Sequence, residues 1–210
     1  TNSAYPYKFT HIGYSATTGQ RLWIKEYTLD HDTPRYGPAL DGVYTIYDRD
    51  HLRFDGYDVF TGEKLWTSEP LDSDWDLYQR NFVGAYGRIY SNGFGGRVYC
   101  IDIKTGERLW TFYTGSSGYD APYGHYPFLT DLTAADGKIF AINGEHSADT
   151  PLYKGYKVYG IDAYTGEGLW NISHNSGTYR SMVEADGYLV TSNIYDNSIY
   201  SFGKKIKCLP

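Results

Sequence analysis

The sequence predicts an all-β fold assembled from repeated four-stranded units, and three observations predict it. An eleven-residue pattern recurs four times: GYSATTGQRLW at 13–23, GYDVFTGEKLW at 56–66, CIDIKTGERLW at 100–110 and GIDAYTGEGLW at 160–170. A second marker, a turn pair ending in Gly and followed by a short apolar run, keeps the same rhythm at Asp41-Gly42, Tyr86-Gly87, Asp136-Gly137 and Asp186-Gly187. The Thr-Gly pairs follow one another at 43, 44 and 60 residues. A period of about 40–50 residues holding four strands is the sequence signature of a β-propeller blade.

Each element of the repeat has a physical reason. Before Thr-Gly the residues alternate, as Val98, Cys100 and Ile101 do with Tyr99 and Asp102, which is β patterning. Thr-Gly is a turn, because Gly takes a positive φ without a Cβ clash. The third-place Asp58, Asp102 and Asp162, with Ser15 in the first copy, can accept hydrogen bonds from free turn amides. The closing Trp lies on the returning strand and needs a flat, small partner surface. Gly13, Gly56, Cys100 and Gly160 supply it, so Trp23, Trp66, Trp110 and Trp170 are expected to be largely buried between adjacent blades. The Xaa-Gly pairs read as hairpin turns between the first and second strands of a blade.

In chain order, residues 1–12 form a polar, Tyr-containing lead and residues 8–28 a partial blade of two strands. Residues 35–69, 79–113 and 129–173 are full blades, and 179–203 a partial blade of three strands followed by a tail at 204–210. In that last unit Ser201 takes the first place, but Gly203 replaces the Asp and Ile206-Lys207 stand where Thr-Gly is due. The array amounts to about four to five blades, and the expectation is a larger ring of roughly seven or eight. The missing blades would come from the rest of the polypeptide or from other subunits, including a homo-oligomer or surface lattice, because exposed sheet edges invite pairing.

The pattern small-x-Asp-x-x-Thr-Gly-x-x-x-Trp resembles the tryptophan-docking repeat of PQQ-like (quinoprotein-type) β-propellers, over nearly the whole chain. In that family the Trp packs between blades against the small first residue and a Gly peptide. The chain also looks like archaeal surface proteins with PQQ-like repeats, on Gly144–Gly155 (GEHSADTPLYKG) and Ile199–Lys204 (IYSFGK). Dehydrogenases of the family hold a quinone over a Trp floor with Ca²⁺, a catalytic Asp and, in some, a vicinal Cys pair. This chain has no Cys-Cys, and no residue matches the catalytic Asp or the Ca²⁺ ligands. The resemblance therefore implies a non-enzymatic, extracellular or cell-surface binding or assembly module with no catalytic residue and no cofactor. Its first rival is a fragment of a PQQ- and Ca²⁺-dependent dehydrogenase. The second is a periplasmic scaffold for outer-membrane assembly.

Composition agrees with an all-β, turn-rich protein: 24 Tyr and 24 Gly, with one Met, in 210 residues. No apolar run approaches the length of a membrane-spanning helix. A net charge of −6 argues against nucleic acid and anionic membranes as partners. The chain begins without Met or a signal peptide, which fits a mature or excised polypeptide. Cys100 is read as a buried packing residue, and a bridge to Cys208 would need the basic tail to reach another blade. The absence of CxxC excludes a zinc knuckle.

The long third spacing carries two insertions, Gly115–Phe128 and Asn143–Tyr156, whose connections open on one face of the blades. Function on such folds is usually carried by loops of one face. The same face receives His31, Asp32, Arg35, Asp48, Asp50, His51, the 72–76 run, His125, Glu145, His146 and His174. Glu145, His146, Asp149 and Lys154, with His125 from the neighbouring insertion, are candidate ligand or metal residues; Pro151 and Tyr153 could equally anchor a self-packed loop. Asp72, Asp74 and Asp76 alternate as in calcium loops, but Leu77 and Val83 stand where an EF-hand needs Gly and Glu. Trp75, the one Trp outside the repeat, and Tyr153 are counted with His125, Glu145, His146, Asp149 and Lys154 as candidates of the same binding face. Gly93-Phe-Gly-Gly96 is read as a hairpin turn, and Asn171-Ile-Ser173 as a glycosylation sequon.

Overall fold

The glycines of the four Thr-Gly turns, Gly19, Gly62, Gly106 and Gly166, all have φ between 70° and 76°. The third-place Asp closes each turn: Asp102 Oδ1 accepts the amides of Lys104 (2.8 Å) and Thr105 (2.9 Å). Asp58 and Asp162 do the same for Phe60, Thr61, Tyr164 and Thr165. In the first copy Ser15 Oγ accepts the Thr18 amide instead, at 3.2 Å. At the other turn both residues have positive φ, as in Asp41 (51°) and Gly42 (84°), which is the type I′ geometry that suits the twist of a two-residue hairpin.

These turns stitch an antiparallel meander in a computed structural model that describes residues 7–29, 35–73, 81–116, 128, 132–143, 157–173, 182–192 and 199–202. The first sheet pairs β1 (Tyr7–Tyr14) with β2 (Arg21–Leu29). The second runs β3 (Arg35–Leu40), β4 (Val43–Asp48), β5 (Arg53–Asp58), β6 (Lys64–Thr67). The third runs β7 (Asn81–Ala85), β8 (Arg88–Asn92), β9 (Arg97–Asp102), β10 (Arg108–Tyr113). The fourth runs β11 (Thr133–Ala135), β12 (Lys138–Ile142), β13 (Lys157–Asp162), β14 (Gly168–Ser173). The fifth holds β15 (Val183–Ala185), β16 (Tyr188–Ser192) and β17 (Ile199–Phe202). This all-β arrangement of blade-like sheets is the one the repeat predicts. β3, β7, β11 and β15, the first strands of their sheets, lie side by side. β3 and β7 approach so closely that a Cβ on Gly84 would come within 2.7 Å of Pro38. Among the described residues, no helix is long and apolar enough to cross a membrane.

The core lies between sheets. Tyr47, Phe54, Ile89, Tyr99 and Ile101 fill the seam between the second and third sheets. Tyr90, Val98, Cys100, Ile139, Tyr159 and Ile161 fill the next. Phe140, Ile142, Val158, Met182 and Leu189 fill the seam between the fourth and fifth. Alternation along β8 and β9 sends one side chain to each neighbour: Ile89 and Tyr99 back, Tyr90 and Cys100 forward.

The repeat tryptophans join one sheet to the next. The indole of Trp23 lies between Gly13 of its own sheet and Gly62 of the second, and its Nε1 donates to Val59 O at 2.9 Å. Trp66 lies between Gly56 and Gly106 and donates to Ile103 O at 3.1 Å. Trp110 lies on Gly166 and donates to Ala163 O at 3.3 Å. The expectation of large burial needs correction. Trp23, Trp66 and Trp110 are half-buried, because the Trp strand is the outermost of its sheet, and Trp170 is 37% exposed. Trp170 covers Gly160, but the unit after it has no Thr-Gly turn to close over the indole. Cys100 is a fully buried free thiol beneath this layer, its pKa pushed up to about 12 mainly by burial.

Candidate functional site

The seam between the first and second sheets differs from the other three in chemistry. Aligning the sheets on Gly56, Cys100 and Gly160 places Asp55 where Tyr99 and Tyr159 stand, and Tyr57 where Ile101 and Ile161 stand. Tyr44, opposite Tyr57, takes the place of Ile89 and Ile139. On the facing sheet His11 lies two residues before Gly13, the place filled elsewhere by Phe54, Val98 and Val158. A layer that is aliphatic and aromatic in the other seams is here built of His, Tyr and Asp.

Those side chains satisfy one another. His11 Nδ1 and Tyr44 Oη are 2.8 Å apart. The His11 ring packs against Tyr27, Tyr44 and Tyr57 at centroid distances of 4.8, 5.6 and 5.1 Å. Burial lowers the His11 pKa from its ordinary value, and burial also raises the phenols of Tyr44 and Tyr57. Buried Asp55 accepts from Thr67 Oγ1 at 2.5 Å and pairs with Lys64 Nζ at 2.8 Å. Lys25 pairs with Glu63 across the seam, and Tyr27 Oη donates to Gly62 O.

The connection between β4 and β5 supplies the rim. Asp48 caps it, its Oδ1 accepting the amides of Asp50 (3.1 Å) and His51 (3.2 Å) and its Oδ2 lying 2.7 Å from His51 Nδ1. Leu52 has φ 53°, a left-handed conformation costing a leucine about 1 kcal/mol. Arg53 Nε is buried without a hydrogen-bond partner, 3.6 Å from Asp48 Oδ2. Between this rim and β1–β2 lies a cleft of about 140 Å³, with His11, Tyr27, Asp48, His51, Arg53 and Lys64 on its wall. Asp55 in place of a tyrosine is what leaves this space.

Of the face proposed from sequence, Asp48, Asp50 and His51 meet at this cleft. Asp72 instead pairs with Arg108 at 2.5 Å, which uses the carboxylate in a link to β10. Asn171 is exposed on the outermost strand of its sheet. Trp75, Asp74, Asp76, His125, Glu145, His146, Asp149, Tyr153 and Lys154 lie outside the described residues, as do His31, Asp32, His174 and Cys208. Sequence reasoning passed over His11, Arg53, Asp55, Tyr57 and Lys64. A signal was present for three of them: His11, Asp55 and Tyr57 depart from the Phe or Val, Tyr and Ile of their places in the repeat, whereas Arg53 and Lys64 share their places with Arg97, Lys157 and Arg108 and gave none.

Comparison with known proteins places this geometry. A family model described as outer membrane protein assembly factor BamB matches residues 8–197. The serine/threonine-protein kinase AfsK of Streptomyces griseus is 29% identical over 176 residues, covering 82% of this chain and 19% of that protein. The dehydrogenase subunit of alcohol dehydrogenase (quinone) from Gluconobacter oxydans is 30% identical over 123 residues, 54% of this chain and 16% of that protein. The chain thus spans less than a fifth of these curated relatives. BamB from Moraxella catarrhalis superposes with a TM-score of 0.59 at 16% identity, over 92% of this chain and 52% of that one. Quinohemoprotein alcohol dehydrogenase ADHIIG from Pseudomonas putida HK5 gives 0.56 at 19% identity, over 76% and 27%. At such identities the likeness is one of fold, and the family match over most of the chain makes this protein a member of the PQQ-type repeat family described as outer membrane protein assembly factor BamB.

Proposed function

We propose that this chain is a non-enzymatic binding or assembly module of an extracellular or cell-surface propeller. One observation carries the reading: three of the four repeat tryptophans, Trp23, Trp66 and Trp110, are used in joining sheets. Trp23 and Trp66 each have glycine backbone from two sheets against the indole, and the Nε1 of Trp23, Trp66 and Trp110 donates to a neighbouring sheet's carbonyl. An indole held so offers no open floor for a flat quinone. The seam cleft does not fit PQQ either, because a fused three-ring tricarboxylate exceeds a space of about 140 Å³ whose Asp48 and Asp55 are already paired with Arg53, His51 and Lys64. The family description and the superposition on BamB support assembly work, and they support equally the rival reading of a periplasmic scaffold for outer-membrane assembly. The likeness of 144–155 and 199–204 to archaeal surface proteins favours the cell surface.

The second reading, part of a PQQ- and Ca²⁺-dependent dehydrogenase, is favoured by the Gluconobacter relative. The two separate in one assay. Intact protein given PQQ, Ca²⁺ and an artificial electron acceptor is expected to oxidise neither alcohols nor sugars. Turnover that needs both additives would replace the module reading with the redox one.

A further inference from the structure

The seam cleft is built as a ligand site. Three seams of the same repeat close with apolar side chains; this one opens because Asp55 stands where its counterparts are Tyr99 and Tyr159. Its polar groups come as charge-balanced pairs. Lys64 Nζ lies 2.8 Å from Asp55, and Arg53 Nε 3.6 Å and His51 Nδ1 2.7 Å from Asp48. Asp48 and Asp55 each already have a cationic or imidazole neighbour, and Asp50 stands at the rim, so the inner wall offers neither a small cation nor a small anion a strong uncompensated field. What the wall presents instead is donors beside acceptors, with the Arg53 and Lys64 side chains among the donors. Tyr27 and Phe9 add aromatic surface from the facing sheet. A compact ligand with vicinal hydroxyls and one apolar face matches that mixture, since each hydroxyl both donates and accepts. The volume of about 140 Å³ is below the range of drug-sized sites and suits one ring.

We infer that the cleft between the first two sheets binds a single neutral saccharide unit, hydroxyls toward the Asp48–Arg53 and Asp55–Lys64 pairs and ring face toward Tyr27. The inference rests on the binding-module reading and names its ligand class.

Saturation-transfer NMR on the intact protein tests it, with methyl glycosides of glucose, galactose and mannose as probes, and putrescine and inorganic phosphate as charged comparators. At least one glycoside is expected to bind with a Kd of order 1 mM, tighter than either comparator. Lys64→Ala, at a partly exposed side chain, should weaken it at least about tenfold, since one lost charge-assisted hydrogen bond is worth about 1.5–3 kcal/mol. Asp55→Tyr, which installs the residue of the next two sheets, should abolish binding. No signal from any glycoside at about 50 mM, well above that affinity, would overturn the inference. So would tighter binding of putrescine or phosphate, or saccharide binding unchanged in Lys64→Ala. Thermal melts identify a variant that fails to fold, and then the other decides. A failure here leaves the module reading standing, whereas PQQ-dependent turnover would remove that reading without touching saccharide affinity.

Discussion

His11 holds a place that Phe54, Val98 and Val158 hold in later sheets, and the change replaces apolar packing with a hydrogen bond to Tyr44. Burial disfavours the imidazolium, so the folded-state pKa lies below the ordinary 6.5. The sign of the consequence follows by linkage. Above about pH 6.5 the ring is neutral in both states and its contribution is fully present. As pH falls through 6.5 toward the lowered folded value, the unfolded chain takes up the proton first and stability declines. The groups facing His11 are Tyr27, Tyr44 and Tyr57, whose phenols stay protonated throughout this range. Urea titrations between pH 7.5 and 5.5 should show the midpoint falling with acidification, and His11→Phe should at least halve that slope. An unchanged slope would mean that His11 does not titrate between these states.

In the first three sheets the last strand carries an indole that reaches the next sheet's Thr-Gly turn. Where that turn exists, Trp burial and an interblade hydrogen bond act together, as for Trp110 over Gly166. Where the sequence lacks it, as after Trp170, the ring has a glycine beneath it and Phe140 at 5.9 Å but stays partly exposed. Trp110→Ala should therefore cost about 3–5 kcal/mol, in the usual range for a packed aromatic, and Trp170→Ala less than half of that. Chemical denaturation of both variants reads the difference directly. Equal losses would show that the Thr-Gly closure contributes nothing.

Across the whole molecule, the two outward faces look like seams without partners. Ile12, Tyr14, Leu22 and Ile24 are exposed on the first sheet, and Val183 (62%) and Ile199 (75%) on the fifth. The places equivalent to Ile12, at Asp55, Tyr99 and Tyr159, are buried where a sheet faces them. Apolar surface at such places is stabilised by removal from water, at about 25 cal/mol per Å². We propose that further blades of the same fold cover both faces in the native particle. Expressed alone, the 210-residue chain should then self-associate in light scattering. Ile24→Asp combined with Ile199→Asp should reduce that association. A stable monodisperse monomer of the unsubstituted chain would refute the covered-face proposal.

The fold was legible in the sequence because its signals are local. Gly106 needs a positive φ, Asp102 caps the turn three residues away, and alternation from Val98 to Asp102 sets the faces of β9, all within eleven residues. Strand count and order follow from repeating such local units. The cleft was not legible in the same way. Asp48 and His51 were marked because they sit in one loop, but His11, Asp55 and Lys64 lie on strands and look like ordinary alternating residues. What makes them a site is that β1 and β2 face β4 and β5, so that a polar His meets Tyr44 while Asp55 leaves a tyrosine-sized space. Local periodicity determined which side of each strand faces a neighbour. Only the tertiary structure decided which two faces meet, because seam chemistry is a property of pairs far apart in the chain.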